Sequence, residues 1–399
     1  MHCSTFSFLL RAACTPVVAR ARTFALLLIV SGAASAEAQF LGLGGMAASN
    51  GIASGAIDIS ADGSVIVGHV GTEAFLWPVP TSGFGLGRLE GSCCSSSARA
   101  TSQQGTVVVG NSNSIAAGGN GREAFRWTQD TGMIGLGFLS KESRFSSFAH
   151  GVSDDGAVVV GHSEDNARTQ PFVWREATGM QPLELIAEDS INWVKNAAWN
   201  VSPDGNIVVG GMNNGPGWEA FRWTEGEGTV GLGAIDGGIG SVAFAASYDG
   251  EVIVGESTSN EGTQAFRWTA QTGMAGLGDL PGGDLTAAAL DVTHDGSIVV
   301  GRGITEMGST AFIWDGTRGM RSLRDALIDD YGFDLTAWHL TSAHGISGDG
   351  LTIVGTGVNP QGTSEAWVVI IPEPNSFYLY ALGGACIFTC GLLCRARAE

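Results

Sequence analysis

Seven times along this chain an apolar run closes on a glycine. The runs are SVIVG, TVVVG, AVVVG, NIVVG, EVIVG, SIVVG and LTIVG, ending at Gly68, Gly110, Gly161, Gly210, Gly255, Gly301 and Gly355. Short apolar runs bounded by turn residues read as strands buried on both faces. A second run follows each of them: AFLW, AFRW, PFVW, AFRW, AFRW, AFIW and EAWV, with tryptophans at Trp77, Trp127, Trp174, Trp223, Trp268, Trp314 and Trp367. In these runs Phe and Trp share one face and Arg takes the other, and the repeated tryptophans are expected to be core. A third run, marked by Leu86, Leu136, Leu183, Leu232, Leu277 and Leu323, follows a turn such as QDTGM and reads GLG or similar. Upstream of each valine run lies one more short strand, as in AIDIS, HGVS or LDVT. Asp-Gly precedes six of the seven valine runs, and Gln104-Gly105 the second. Between apolar segments Asp-Gly is expected to form a tight primed hairpin turn, because Gly accepts positive φ at no steric cost. Four short strands per unit of roughly 45 residues, joined by short turns, describe a propeller blade.

The third run occurs six times after a Trp, but the seventh unit stops at EAWVVI without it. A spare copy, FLGLGG around Leu43, stands at the other end of the repeat region. The expected fold is therefore all-β: a seven-bladed β-propeller of four-stranded antiparallel blades over residues 39–371, its ring closed by the N-terminal strand, plus one C-terminal transmembrane helix. Closure removes the sheet edges that a linear array would expose. An open solenoid would need capping units, and no unit of the repeat reads as one. Longer inserts at ELIAEDSINWVKN and RSLRDALIDDYGFDLTAWHL have partial helical spacing and are expected to fold over a face or edge.

The two ends are of a different kind. Arg11, Arg20 and Arg22 precede the apolar run FALLLIVSGAASA, and small residues offer cleavage after Ala36 or Ala38. Residues 1–38 thus read as a secretory signal peptide, the alternative being an N-terminal anchor. That head carries three Arg and one Glu, and the segment from Pro372 carries two Arg and two Glu, which leaves a body of 15 basic and 36 acidic residues with net charge −21. Nucleic acid is not an expected partner, since phosphates require basic patches. Of seven cysteines only the neighbours Cys93 and Cys94 lie in the body, which allows at most one local disulfide. Residues 377–394 are uncharged and just long enough to cross a bilayer, with Arg395 and Arg397 fitting the cytoplasmic side.

The order GLGDLPGG, DVTHDGSIVVG, AFRWTAQTGM resembles the HAF family of extracellular repeats in bacterial proteins, over nearly the whole body. The second repeat departs in lacking Asp before Gly105, and the third has PLEL in place of GLG. The resemblance implies location rather than an activity. The segment 372–399 resembles the PEP-CTERM sorting signal of Gram-negative bacteria: Pro372-Glu373-Pro374, the apolar stretch, then Arg395 and Arg397. The basic end is sparse, Glu399 is terminal, and three cysteines sit in the apolar stretch. This resemblance implies a membrane-held intermediate recognised at Pro-Glu-Pro by an exosortase-type transpeptidase. The body would then reach the cell surface or the extracellular matrix, often alongside exopolysaccharide, as in biofilms. The alternative is a permanent anchor.

Chemistry is sparse. The sequence contains no HExxH, GxSxG or P-loop. No cofactor, metal site or catalytic residue is expected, and the Asp-Gly sites read as turns rather than calcium loops. His69 and His162 each directly follow a glycine that closes a valine strand, so both are expected at one end of the ring. With Glu164 and Asp165 they are candidates for contact with a metal or carbohydrate, against the alternative of solvated loop residues. Trp193, Trp218 and Trp338 lie in or near variable loops and are candidates for stacking on sugar rings or anchoring a protein partner, against packing within the inserts. Trp199 falls on a repeat strand and reads as core. The function expected is a binding or structural module. The competing reading is a glycosidase or lyase using channel carboxylates, which expects acids unique to one or two blades pointing into the channel.

Overall fold

The computed structural model describes residues 38–44, 52–92, 94–118, 121–140, 145–165, 168–185, 196–215 and 217–371. The signal-peptide segment before Ala38, Trp193 and the whole of 372–399, including the apolar stretch 377–394, lie outside them. Among the described residues no helix is long and apolar enough to cross a membrane.

Seven antiparallel sheets of four strands follow one another. Six are built from consecutive strands, each pairing with the next. The seventh is completed by Gln39–Gly42, which pairs with Ser364–Ile370 in the register Gln39↔Ile370 to Gly42↔Trp367. The spare N-terminal copy thus supplies the missing outer strand, as the strand count required. Seven apolar clusters lie between neighbouring blades. The cluster that closes the ring joins Leu43, Ala56 and Ile66 to Val354, Ala366 and Val368. The core is therefore a circle of blade interfaces, with no single centre.

The aromatic pattern differs in detail from expectation. The fully buried aromatic of blades 2 to 6 is the Phe of each AFxW run (Phe125, Phe172, Phe221, Phe266, Phe312), while the tryptophans of those blades are only partly buried. Trp367 pairs with Gly355 just as Phe172 pairs with Gly161, so in blade 7 a Trp occupies the Phe position. The alternation was right, but the face points at the preceding blade, where the second residue of the pair lies closer to the rim.

The Asp-Gly turns also differ. In blade 1 Gly63 N donates to Ser60 O at 2.8 Å, and Ser60 N donates to Val65 O at 2.8 Å. The turn therefore spans Ser60 to Gly63, and its last residue, Gly63, lies in the left-handed region at φ +71°. This four-residue connection replaces the two-residue primed hairpin. A serine or threonine three residues before the glycine organises it: Ser60 Oγ donates to Asp62 at 2.7 Å and accepts from Val65 N at 2.9 Å. The same Ser/Thr-x-Asp-Gly arrangement recurs at Ser153, Ser202, Ser247, Thr293 and Ser347. For Asp62 partial burial works upward, but hydrogen bonds from Ser64 and Ser60 outweigh it and hold the carboxyl below its ordinary value.

The insert after blade 6 does fold as a helix, Leu323–Tyr331. Ser322 caps its start by accepting from Asp325 N, and Gly332 ends it at φ +73°. Leu323 and Leu327 bury against the interface of blades 6 and 7.

Candidate functional site: the central channel

The first strand of each blade lies innermost, next to the first strands of its neighbours. These strands are Ser54–Ile59, Ser96–Thr101, Ser146–Val152, Ala197–Val201, Ser241–Ala246, Ala287–Val292 and His339–Ile346. Each has a break in register one residue after an alanine: Ala56/Asp58, Ala98/Ala100, Ala149/Gly151, Ala198/Asn200, Ala243/Ala245, Ala289/Asp291 and Ala343/Gly345. The residue left over at such a bulge is re-aimed relative to the pleat. Here it is Ile57, Arg99, His150, Trp199, Phe244, Leu290 and His344 in blade order. The framework alanine repeats seven times, while the bulge residue changes character from blade to blade.

Contacts between blades place these side chains on the channel wall. His150 lies 4.5 Å from Trp199, and Trp199 lies 6.0 Å from Phe244, ring centre to ring centre, so blades 3 to 5 form an aromatic arc. His344 of blade 7 lies within electrostatic reach of Arg302 on the neighbouring blade 6, of Arg99 on blade 2 and of His69 on blade 1. Burial, with those like charges, pushes His344 down to about 4, against a hydrogen bond to Ala56 O. His69 is lowered for the same reasons, burial first and then Arg99. Trp199, expected in the core, is thus a channel residue, and its indole N–H has no hydrogen-bond partner among the described residues.

The two ends of the channel differ. At one end the Ser/Thr-x-Asp-Gly turns are tied blade to blade by main-chain hydrogen bonds. Asp62 N donates to Gln103 O, Gln103 N to Asp154 O, Asp154 N to Pro203 O, Tyr248 N to His294 O, His294 N to Gly348 O, and Gly348 N to Ala61 O, at 2.9 to 3.2 Å. The step from blade 4 to blade 5 is missing because Pro203 has no N–H. Across this mouth Asp154 Oδ2 of blade 3 comes within 3.9 Å of His294 Nε2 of blade 6, nearly opposite in the ring. Just inside sit Asp58 and Asp291. Asp58 Oδ2 accepts from Thr101 N at 2.8 Å, and Asp291 Oδ2 from Ile346 N at 2.8 Å, each on the following blade. The other end is basic. Arg99 and Arg302 are accessible to water, and neither forms an ion pair among the described residues. Arg122 lies near Arg99 and donates to Asn111 Oδ1 at 2.6 Å.

Both channel acids bind their protons far more tightly than an ordinary carboxyl. Burial, then repulsion from Asp58, pushes Asp291 up to about 8; burial pushes Asp58 up to about 7, against N–H groups of Thr101 and Ile59. Folded values above the unfolded ones mean that the folded protein keeps protons the unfolded chain has released. The stability these groups contribute is complete below about pH 4 and is lost as the pH rises through their folded values. Asp291→Asn cannot ionise and keeps one acceptor oxygen, as Asn200 does in blade 4, where Oδ1 accepts from Val201 N at 2.7 Å. Its NH2 cannot accept, so one of the two N–H groups that Asp291 takes, from Val292 and Ile346, loses its partner; the variant is therefore expected to fall below the parent at pH 4 and to close or reverse that gap at pH 9. Urea midpoints at the two pH values check this, and a parent midpoint that does not fall relative to the variant refutes the placement.

The other candidate residues are dispersed. His69 and His162 hold the same position on the second strands of blades 1 and 3, opposite Gly55 and Phe148. His162 stacks on Phe148 at 4.8 Å, and its Nδ1 lies 2.9 Å from His150 Nε2. Glu164 ends its strand opposite Ser146 and Thr169. Asp165 caps the adjoining turn, accepting from Arg168 N. Trp218 packs against Gly211 and pairs with Asn213. Trp338 meets Phe40 edge-on at 5.1 Å and so belongs with the closing strand. Cys94 is disulfide-bonded. Among the described residues no group of three or more His, Cys, Asp or Glu is placed to hold a metal. A cleft of about 740 Å³ beside the helix contains Arg318 and Arg321, but both already pair with Asp330.

No family model and no curated protein matches the chain. Among solved structures, an oligogalacturonate lyase from Vibrio parahaemolyticus is similar with a TM-score of 0.55 and 12% identity, over 84% of this chain and 98% of that one. An oligogalacturonate lyase in complex with manganese is similar with a TM-score of 0.52 and 14% identity, over 80% and 89%. TolB from Acinetobacter baumannii is similar with a TM-score of 0.44 and 15% identity, over 67% of this chain and 63% of TolB. At these identities the likeness is one of fold.

Proposed function

We propose that this chain is an exported, non-catalytic propeller that binds its ligand in the central channel. We further propose that an exosortase-type enzyme, acting at Pro372-Glu373-Pro374 on a membrane-held intermediate, sorts it to the cell surface or extracellular matrix of a Gram-negative bacterium. There it serves as a binding or structural component associated with exopolysaccharide. The observation that carries the binding reading is the division of labour on the inner strands. The alanine before each bulge repeats in all seven blades, whereas the bulge residue ranges over Ile, Arg, His, Trp, Phe and Leu. A repeated framework that carries variable side chains on the channel wall is what a scaffold adapted to one ligand requires.

One observation favours the second reading, a carbohydrate-active enzyme. Asp58 and Asp291 are channel carboxyls unique to two blades, and the neighbouring structures with TM-scores above 0.5 are named lyases. Against it, both carboxyls are already engaged by main-chain N–H groups of the next blade, which makes them inter-blade ties. Intact mass and fractionation of the native protein from its own cells are expected to give an extracellular species lacking everything after Pro374. A full-length species confined to the membrane overturns the sorting. New reducing ends or unsaturated products that Asp58→Asn abolishes would move the assignment to the enzyme.

A further inference from the structure

We infer that the channel takes an oligosaccharide bearing carboxylates, a chain of uronic-acid residues, which enters by the mouth opposite the Ser/Thr-x-Asp-Gly turns. Its carboxylates meet Arg99 and Arg302, and its rings lie along His150, Trp199 and Phe244. This rests on the binding reading of the channel given above.

The argument begins with charge. The body carries −21, yet its channel holds two water-accessible guanidinium groups without an ion-pair partner among the described residues. Like charges near one another cost stability unless an opposite charge arrives, and Arg99, although its side chain reaches water, is held below its ordinary value by partial desolvation and by Arg122. Glu256, at the equivalent position of the neighbouring blade 5, lies near Arg302 without forming an ion pair among the described residues, and burial, against Arg302, holds its carboxyl above its ordinary value. At the far end Asp58 and Asp291 are pushed up to about 7 and about 8, so near neutral pH they carry less than their full negative charge and only partly offset the field along the channel. An anion is therefore the ligand for which the wall is built.

The rest of the wall narrows the class. Arg99, His150, Trp199 and Phe244 hold equivalent bulge positions on four successive blades, so cation and aromatic faces form one continuous arc. Inorganic phosphate or sulfate has no use for aromatic faces. A pyranose does, because its apolar face stacks on a ring while its hydroxyls stay hydrogen-bonded. A guanidinium matches a carboxylate with two parallel hydrogen bonds. The direction of entry follows from the opposite mouth, where Asp154 and His294 meet across the ring.

The test uses protein purified from its own cells and titrated calorimetrically with four uronate tetramers (mannuronate, guluronate, galacturonate, glucuronate) and their methyl esters. At least one acid is expected to bind, with its ester at least tenfold weaker. Arg99→Gln and Arg302→Gln are each expected to weaken the acid about tenfold and leave the ester unchanged, since a hydrogen bond to a charged group contributes on that scale. Trp199→Ala is expected to weaken acid and ester alike. Thermal melts check that the variants are folded. If esters bind as well as acids, or the arginine variants keep full affinity, the uronate inference is wrong while channel binding stands. If nothing binds, acid or ester, both readings fall.

Discussion

Deleting residues 39–44 is expected to open the ring and cost most of the stability of the fold. The segment provides four ladder pairs to Ser364–Ile370, the donor Leu43 N to Ala366 O at 2.8 Å, and Gly44 N to Glu365 at 2.9 Å. Leu43 is 2% exposed, and Phe40 packs on Trp338 and Trp367. Burying Leu43, Leu41 and Phe40 contributes roughly 5 kcal/mol at about 1.5–3 kcal/mol for each fully buried side chain. A domain has only about 5–15 kcal/mol to lose. The deletion also turns the run EAWVVI into a free apolar edge, which pairs with other chains. Size-exclusion chromatography and thermal melting should show aggregation or a melt lowered by more than about 15 °C. A synthetic peptide of residues 38–44 added in trans should restore part of the loss. A deletion variant that stays monomeric and melts within a few degrees of the parent would mean that the ring does not depend on this strand.

That dependence is legible in the sequence, because it follows from counting. Six complete sets of runs, one set short of a strand and one strand to spare leave few topologies, and ring closure uses every piece. What counting could not show was the exact occupant of each position. EAWV matched the other runs by its tryptophan, yet its alanine-aromatic step, not its Trp, sets the register, so Trp367 stands where other blades have Phe. The Asp-Gly pairs likewise announced a turn correctly, but the serine three residues earlier decides which turn forms.

The candidate site was harder to read, for a physical reason. Period-two counting assumes an unbroken pleat, and each inner strand breaks it at one residue. Counted along the strand, Trp199 falls in the core and Arg99 attracts no notice. The bulge turns both toward the channel. No residue type signals that bulge, since six different residue types occupy it across the seven blades. Only the alanine before it repeats, and alanine is too common to stand out. His69 and His162 were found because a closing glycine marks their position. Asp58 and Asp291 stood in plain view within AIDIS and LDVT, but nothing in one strand shows that a carboxyl two blades away raises its proton affinity.

The closing glycines mark the same device from the other side. A Cβ built on Gly161 would lie 1.9 Å from Phe148 O, and on Gly68, Gly255 or Gly355 it would lie 2.0 Å from the carbonyl of the inner strand. The obstacle is main chain and has no rotamer to escape to. The inner strand comes this close because its bulge starts at the paired alanine, Ala149 opposite Gly161. Gly161→Ala must therefore push the two strands apart where the bulge aims His150 into the channel. The expected cost is about 3 kcal/mol, at the upper end for an added methyl in a packed interior. Gly132→Ala is the control: it has open space around it and φ +66°, so backbone strain alone should cost about 1–2 kcal/mol. Denaturant midpoints at unchanged slope measure both. The difference between them isolates the steric demand from the conformational one. If Gly161→Ala costs no more than Gly132→Ala, the glycine is there for its backbone freedom, and the bulge does not rely on close approach of the second strand.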